Sequence, residues 1–186
     1  VLTVQADVTD ETQMRRAVDQ AYERFGALHG VIHAVKGSGR AGHLIPDMDR
    51  EQAENYFHPK ARGLFVLEKI LRGRQLDFCL LTSTISSVLG GLGLFSVTAT
   101  NALVDAFAQR MRQLGAVPWI SVDWDFWRFG EPDQQGRPLN KTFAELGITP
   151  DEGVAVFAQL LSPLSPARVI ISSGDPTEMM KPPTES

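Results

Sequence analysis

Between Glu11 and Phe25, apolar residues recur at three- and four-residue steps: Met14, Ala17, Val18, Ala21, Tyr22 and Phe25. That spacing predicts an amphipathic helix. Thr9 or Asp10 can cap it, Glu11 suits its first turn, and Gly26 stops it. Ahead of it, Val1–Ala6 reads as a short strand, and behind it Leu28–Ala34 reads as a short buried strand. Val35–Gly42 is Gly-rich loop. Asp49 caps a helix through Glu51–Tyr56, Pro59 is expected to interrupt it, and a second helical stretch runs from Lys60 to Leu71. Leu76–Thr82 is predicted as a strand. Val97–Leu114 is predicted as a helix, with Ala99, Ala102, Leu103, Ala106 and Met111 on its apolar side. Trp119–Trp124 is a strand, and Asp125–Leu146 is a long Gly/Pro/polar excursion and a lid candidate. Thr149 caps a last helix over Asp151–Leu161, before a final strand at Arg168–Ser172.

Strands and helices therefore alternate along the chain. Several strands are continuously apolar, as in Val31-Ile32 and Val169-Ile170-Ile171. Unbroken apolar strands mark a parallel sheet covered on both faces. The expected fold is a doubly wound α/β domain, in which ligands bind beyond the carboxyl ends of the strands. Those ends are Asp7-Val8, His33-Ala34, Thr82-Ser83-Thr84 and Trp124-Asp125.

Composition narrows the class. The chain has 186 residues, 43% hydrophobic and 22% charged, which fits one globular domain and excludes a disordered tail or a coiled coil. A net charge of −4 gives no basic footprint for nucleic acid. Cys79 is the single cysteine, so no internal disulfide is possible and a reducing, cytoplasmic setting is expected. No apolar run reaches the ~18 residues of a membrane span. His29, His43 and His58 show no metal-ligand spacing. The first residues, Val1-Leu2-Thr3-Val4, read as a strand already under way, which suggests an excerpt from a longer protein.

Six segments in order carry a resemblance. They are Ala-Asp-Val-Thr-Asp (6–10), Gly-Val-Ile-His-Ala (30–34), Pro-Lys-Ala-Arg-Gly (59–63), Thr-Ser-Thr-Ile-Ser-Ser-Val-Leu-Gly-Gly (82–91), Thr-Asn-Ala-Leu-Val-Asp-Ala-Phe-Ala (100–108) and Ser-Val-Asp-Trp-Asp-Phe-Trp (121–127). Together they resemble the ketoreductase domains of modular polyketide synthases, members of the short-chain dehydrogenase/reductase superfamily. The resemblance runs to about Asp175 and implies a Rossmann-like domain over 1–175, with 176–186 as linker or tail. It also implies NADPH as cofactor. The implied partners are an acyl carrier protein bearing a thioester-bound β-ketoacyl chain, and other synthase domains.

In that family a Tyr hydroxyl protonates the ketone oxygen, a Ser hydroxyl hydrogen-bonds it, and a Lys and an Asn orient ribose, water and Tyr. By resemblance the Lys is Lys60, the Ser position is Thr84, the Tyr position is Val97 and the Asn is Asn101. Asp7, Val8, His33 and Ala34 fall along the cofactor. Thr84 keeps a hydroxyl and adds a methyl group, whereas Val97 has no proton to give. The family's His-Ala-Ala-Gly turn reads His33-Ala34-Val35-Lys36 here. Either Lys36 brings bulk and charge to the nicotinamide side, or Gly37 takes over the turn one residue later. The family's G-x-G-x-x-G phosphate loop has no counterpart, so strands one and two are expected to be missing, leaving an open apolar sheet edge.

Three further patterns bear on the site. Tyr56-Phe57-His58-Pro59-Lys60 has the Tyr-x-x-x-Lys spacing of the superfamily's usual pair, but Pro59 is expected to break the helix that would align it. Ser86 and Ser87 supply hydroxyls that cannot replace a phenol of pKa ~10 as an acid. Trp124 and Trp127 wall either the substrate side or the core. The resemblance thus implies an NADPH-dependent ketoreductase, impaired or inactive through Val97. The alternative is a structural domain that holds neighbouring synthase domains and catalyses nothing.

Overall fold

The computed structural model describes residues 1–37, 42, 44–115, 117–128, 147–162, 165–175 and 177. Its strands are β1 (Gly30–His33), β2 (Phe78–Thr84), β3 (Trp119–Trp124) and β4 (Arg168–Ile171), and its helices are α1 (Glu11–Phe25), α2 (Arg50–Leu71), the single turn α3 (Ser86–Leu89), α4 (Phe95–Leu114) and α5 (Pro150–Leu160). The four strands form one parallel sheet in the order β1-β2-β3-β4. This is the expected Rossmann-like α/β architecture.

Alternation along the strands separates two cores. Cys79, Leu81 and Trp119 face α2 and α4, packing with Leu64, Leu67, Val104 and Phe107. Leu80, Ile120 and Val122 face the other way, onto Leu160 and its neighbours Val156 and Phe157 of α5. Burial pushes the Cys79 thiol well above its ordinary value, so it behaves as a packing residue.

The helix signals hold where side chains cap them. Asp10 accepts from the Thr12 and Gln13 amides at the head of α1, and Gly26, at φ 79°, closes it. Capping boxes start α2 through Asp49 and Gln52, and α5 through Thr149 and Glu152.

Four expectations need correction. First, Val1–Ala6 forms no strand, because nothing among the described residues pairs with it. Second, β1 pairs only with β2, and its Ile32 is 51% exposed on the α5 side, so the open apolar edge is present but lies at β1. Third, Pro59 does not break the helix: α2 runs unbroken through it. A proline removes one ladder bond, and here the capping box upstream and the burial of Ala61, Leu64, Leu67 and Leu71 downstream outweigh that loss. Fourth, the buried face of α4 carries Thr100, Asn101, Val104, Asp105, Phe107 and Ala108, whereas Ala102 and Ala106 are exposed. The polar side chains turn inward because partners await them there. The lid candidate falls largely on residues 129–146, outside the described residues, as does nearly all of the proposed tail.

Candidate active site

Two helices bring the first pair together. Lys60 sits mid-way along α2 and Asn101 in the second turn of α4, and both are buried. The Lys60 ammonium donates to Asn101 Oδ1 at 2.5 Å, and Asn101 Nδ2 donates to the Val97 carbonyl at 2.8 Å, one turn back. Burial pushes Lys60 down to about 8, against the pull of Asp105 and Asp123.

The second pair comes from the end of β2. Thr84 Oγ1 accepts from Ser86 Oγ at 3.2 Å and from the Ser86 amide at 3.4 Å. Two donors on one oxygen leave the Thr84 proton to point elsewhere. Thr84, Ser86 and Val97 all border one cavity of about 1000 Å³ beyond the carboxyl ends of β2 and β3. Its remaining wall is mainly apolar: Leu89, Leu94, Trp124, Phe126, Trp127 and Phe157. Trp124 and Trp127 lie with ring centroids 5.0 Å apart, and Trp127 presses on Gly153 of α5, where a Cβ would come within 2.1 Å of its ring. Asp125 is the one carboxylate among the lining residues, and it is engaged by the Ser173 amide and hydroxyl and by the Phe126 amide.

The other sequence candidates lie apart from that cavity. His33 is buried at the end of β1, where its Nε2 and Val8 abut the α2 backbone at Gly63. Among the described residues, neither ring nitrogen of His33 has a hydrogen-bond partner. Burial, reinforced by the Lys60 charge, pushes the imidazole down to about 4, so it is neutral at physiological pH. Ala34 follows it, exposed. Asp7 is exposed, and its Oδ1 accepts from the Thr9 amide and hydroxyl, which hold the carboxyl below its usual range. Lys36 is exposed, whereas Gly37 is buried so close to the Tyr56 carbonyl that a Cβ would lie 2.7 Å from it. Gly37 is therefore a position of close backbone approach, in this case to α2. Tyr56 shares the α2 face with Lys60, but its ring lies against Gly37 and it is not among the residues bordering the cavity.

Comparisons with known proteins bear on family and fold. The KR domain family matches residues 1–129. The chain belongs to that family, the ketoreductase domains of polyketide synthases. Polyketide synthase PksM of Bacillus subtilis (strain 168) is 27% identical over 181 residues, covering 95% of this chain and 4% of the synthase. Polyketide synthase ThaG of Burkholderia thailandensis is 29% identical over 181 residues, covering 91% of this chain and 3% of that protein. The KR-family chain thus spans a small fraction of the multidomain synthases it matches. Among solved structures, an N-terminal ketoreductase from the macrolactin assembly line superimposes with a TM-score of 0.78 at 26% identity, over 97% of this chain and 36% of its own. A ketoreductase domain from the bacillaene assembly line gives 0.78 at 26% identity, over 94% of this chain and 43% of its own.

One group of residues escaped the sequence reading. Asp105 on α4, Asp123 and Ser121 on β3, Arg168 on β4 and Ser87 on α3 form a polar cluster inside the sheet–helix interface. Arg168 Nη2 lies 3.1 Å from Asp105 Oδ2 and 2.7 Å from Asp123 Oδ2, and it donates to Ser87 Oγ at 3.1 Å. The Ser121 hydroxyl donates to Asp105 Oδ1 at 2.6 Å. Burial and the neighbouring Asp105 push the Asp123 carboxyl up to about 6. The available signal was two aspartates at positions whose neighbours are apolar, Val104-Asp105-Ala106 and Val122-Asp123-Trp124.

Proposed function

We propose that this KR domain belongs to a cytoplasmic polyketide synthase, takes NADPH and a carrier-bound β-ketoacyl chain, and reduces that chain poorly or not at all. The observation that carries the reading is Val97, a methyl-bearing side chain in the cavity wall at the general-acid position. Removing a general acid typically costs 10²–10⁴-fold in rate.

The remaining parts suit the family chemistry. Lys60 has three N–H donors and spends one on Asn101, so two remain for ribose hydroxyls and water. The neutral, unpartnered His33, with Asp7, Val8 and Ala34, would lie along the cofactor. This donor set fits a nicotinamide dinucleotide, which when bound supplies the hydride. Thr84, already accepting from Ser86, would donate its proton to the ketone oxygen. Its extra methyl group crowds that oxygen. Nothing at position 97 can then protonate it. The domain spans 1–175 and the tail 176–186, with an acyl carrier protein and neighbouring synthase domains as partners.

A structural domain without catalysis is the second reading, and Val97 favours it as well. Cofactor binding separates the two. In the synthase that carries this chain, NADPH titration by fluorescence should show weak, saturable binding that Lys60→Met weakens further. NADPH consumption with a small β-ketoacyl thioester should stay near background. No binding would leave the structural reading. Turnover at a typical 1–10³ s⁻¹ would overturn both.

A further inference from the structure

We propose that Asp105 and Asp123 are positioning residues for Lys60: the two buried carboxylates hold its ammonium charged and, through it, hold Asn101 in place at the site. Only the consequence for the cofactor rests on the function proposed above.

The argument is one of charge inside a low-dielectric interface. Asp105 is 2% exposed and Asp123 is fully buried. The cation at ion-pair distance from both is Arg168, which serves the two at once. Two ionised carboxylates against one guanidinium leave one negative charge uncompensated. A buried uncompensated charge is strongly unfavourable. Lys60, itself 8% exposed, is a second buried cation among the described residues. It reaches the cluster through Asn101, which lies one turn before Asp105 on α4 and accepts the Lys60 hydrogen bond. With Lys60 charged, two carboxylates face two cations and the buried group is neutral overall. The titratable groups that act on the ammonium are Asp105 from α4 and Asp123 from β3, which favour its charge, and His33 from β1, which is neutral.

The arrangement also explains an asymmetry in this chain. Lys60 and Asn101 match the family pattern, whereas Val97, which borders the cavity, does not. A lysine that completes a buried charge balance is retained by folding whether or not the reaction is retained. The side chain at position 97 carries no such duty, because Asn101 grips its backbone carbonyl alone.

The test reads Lys60 ionisation directly and needs neither cofactor nor turnover. In the natural full-length protein, trace acetylation with acetic anhydride across neutral and alkaline pH, followed by mass spectrometry, gives the labelling midpoint of the Lys60 amine. Asp105→Asn and Asp123→Asn should each lower that midpoint by about one pH unit, giving about tenfold more neutral amine at pH values well below the midpoint. Asp19→Asn, which removes a surface partner of Arg74, should leave it unchanged. Unfolding moves the midpoint the opposite way, up toward an ordinary lysine, so a damaged variant is not mistaken for the predicted effect. Unchanged midpoints in folded Asp105→Asn and Asp123→Asn would overturn the proposal. Should both variants unfold, Lys60→Met decides with the carboxylates intact. Its melting temperature should fall more steeply than that of wild type as pH rises through neutrality, because the cluster then lacks a cation. Parallel pH curves would overturn the proposal.

Discussion

Asn101 donates its side-chain N–H to the carbonyl of Val97, one helical turn earlier on α4, at 2.8 Å. The backbone at Val97, which the resemblance assigns to the general acid, is therefore held by the same residue that receives the Lys60 hydrogen bond. On the proposed function, the local frame of a catalytic group is in place and the group itself is absent. Each consequence below follows from which parts of that frame are structural.

Arg168 is the shared counter-ion of two buried carboxylates, so Arg168→Gln should destabilise the fold by about 3 kcal/mol, as breaking one side of a buried pair does. Chemical denaturation measures it. A loss within the ~0.5 kcal/mol typical of surface substitutions would show that the carboxylates are compensated elsewhere.

How much of this was legible beforehand follows from the kind of signal each part leaves. The β3 strand Trp119–Trp124 and the caps Asp10, Asp49 and Thr149 were readable because propensity and capping are local. The motif positions Lys60, Thr84 and Asn101 were readable through resemblance, and the fold brings Lys60 to Asn101 and Thr84 to Val97. What failed was non-local. Val1–Ala6 has strand composition, but a strand needs a neighbour. Pro59 carries a helix-breaking penalty that tertiary burial of α2 overrides. Asp105 and Asp123 are meaningful only beside Arg168, which lies 63 and 45 residues further along the chain.

The pH dependence of stability includes two opposing buried groups, His33 and Asp123, beside Asp7, Asp10, Glu11 and Glu152, whose hydrogen bonds hold them low and add stability as pH rises. His33 is held down at about 4, against an ordinary 6.5, so the unfolded chain binds the extra proton between those values and stability rises with pH across that window. Asp123 is held up at about 6, against an ordinary 3.8, so the folded chain binds the extra proton there and stability falls with pH. The slopes partly cancel between about pH 4 and 6. His33→Leu removes the first, and stability should then rise less, or fall more, with pH than in wild type across that range. Asp123→Asn removes the second and should steepen the increase. Urea titrations at stepped pH read both, and a His33→Leu curve parallel to wild type would show that His33 is not neutral in the folded state.

Gly153 leaves room for Trp127 and for little else. A Cβ there would meet the indole at 2.1 Å, so Gly153→Ala must shift the ring from its place beside Trp124. The expected cost is about 1–3 kcal/mol of stability, with a changed tryptophan emission and weaker binding of an apolar acyl thioester. Unaltered emission and affinity would place Trp127 outside the ligand-binding wall.

The central claim is that one missing phenol silences an otherwise assembled site, and restoring it is the direct measurement. NADPH consumption with a small β-ketoacyl thioester is compared across wild type, Val97→Tyr, Thr84→Ser and the double variant. Wild type and Thr84→Ser should stay near background. Val97→Tyr should raise the rate at least tenfold, because Lys60 and Asn101 already stand where the phenol needs them. The double variant should go further and non-additively, since both hydroxyls act on one oxygen. A double variant that binds NADPH and remains silent would contradict the account, as would a wild-type protein that already turns over at an ordinary ketoreductase rate.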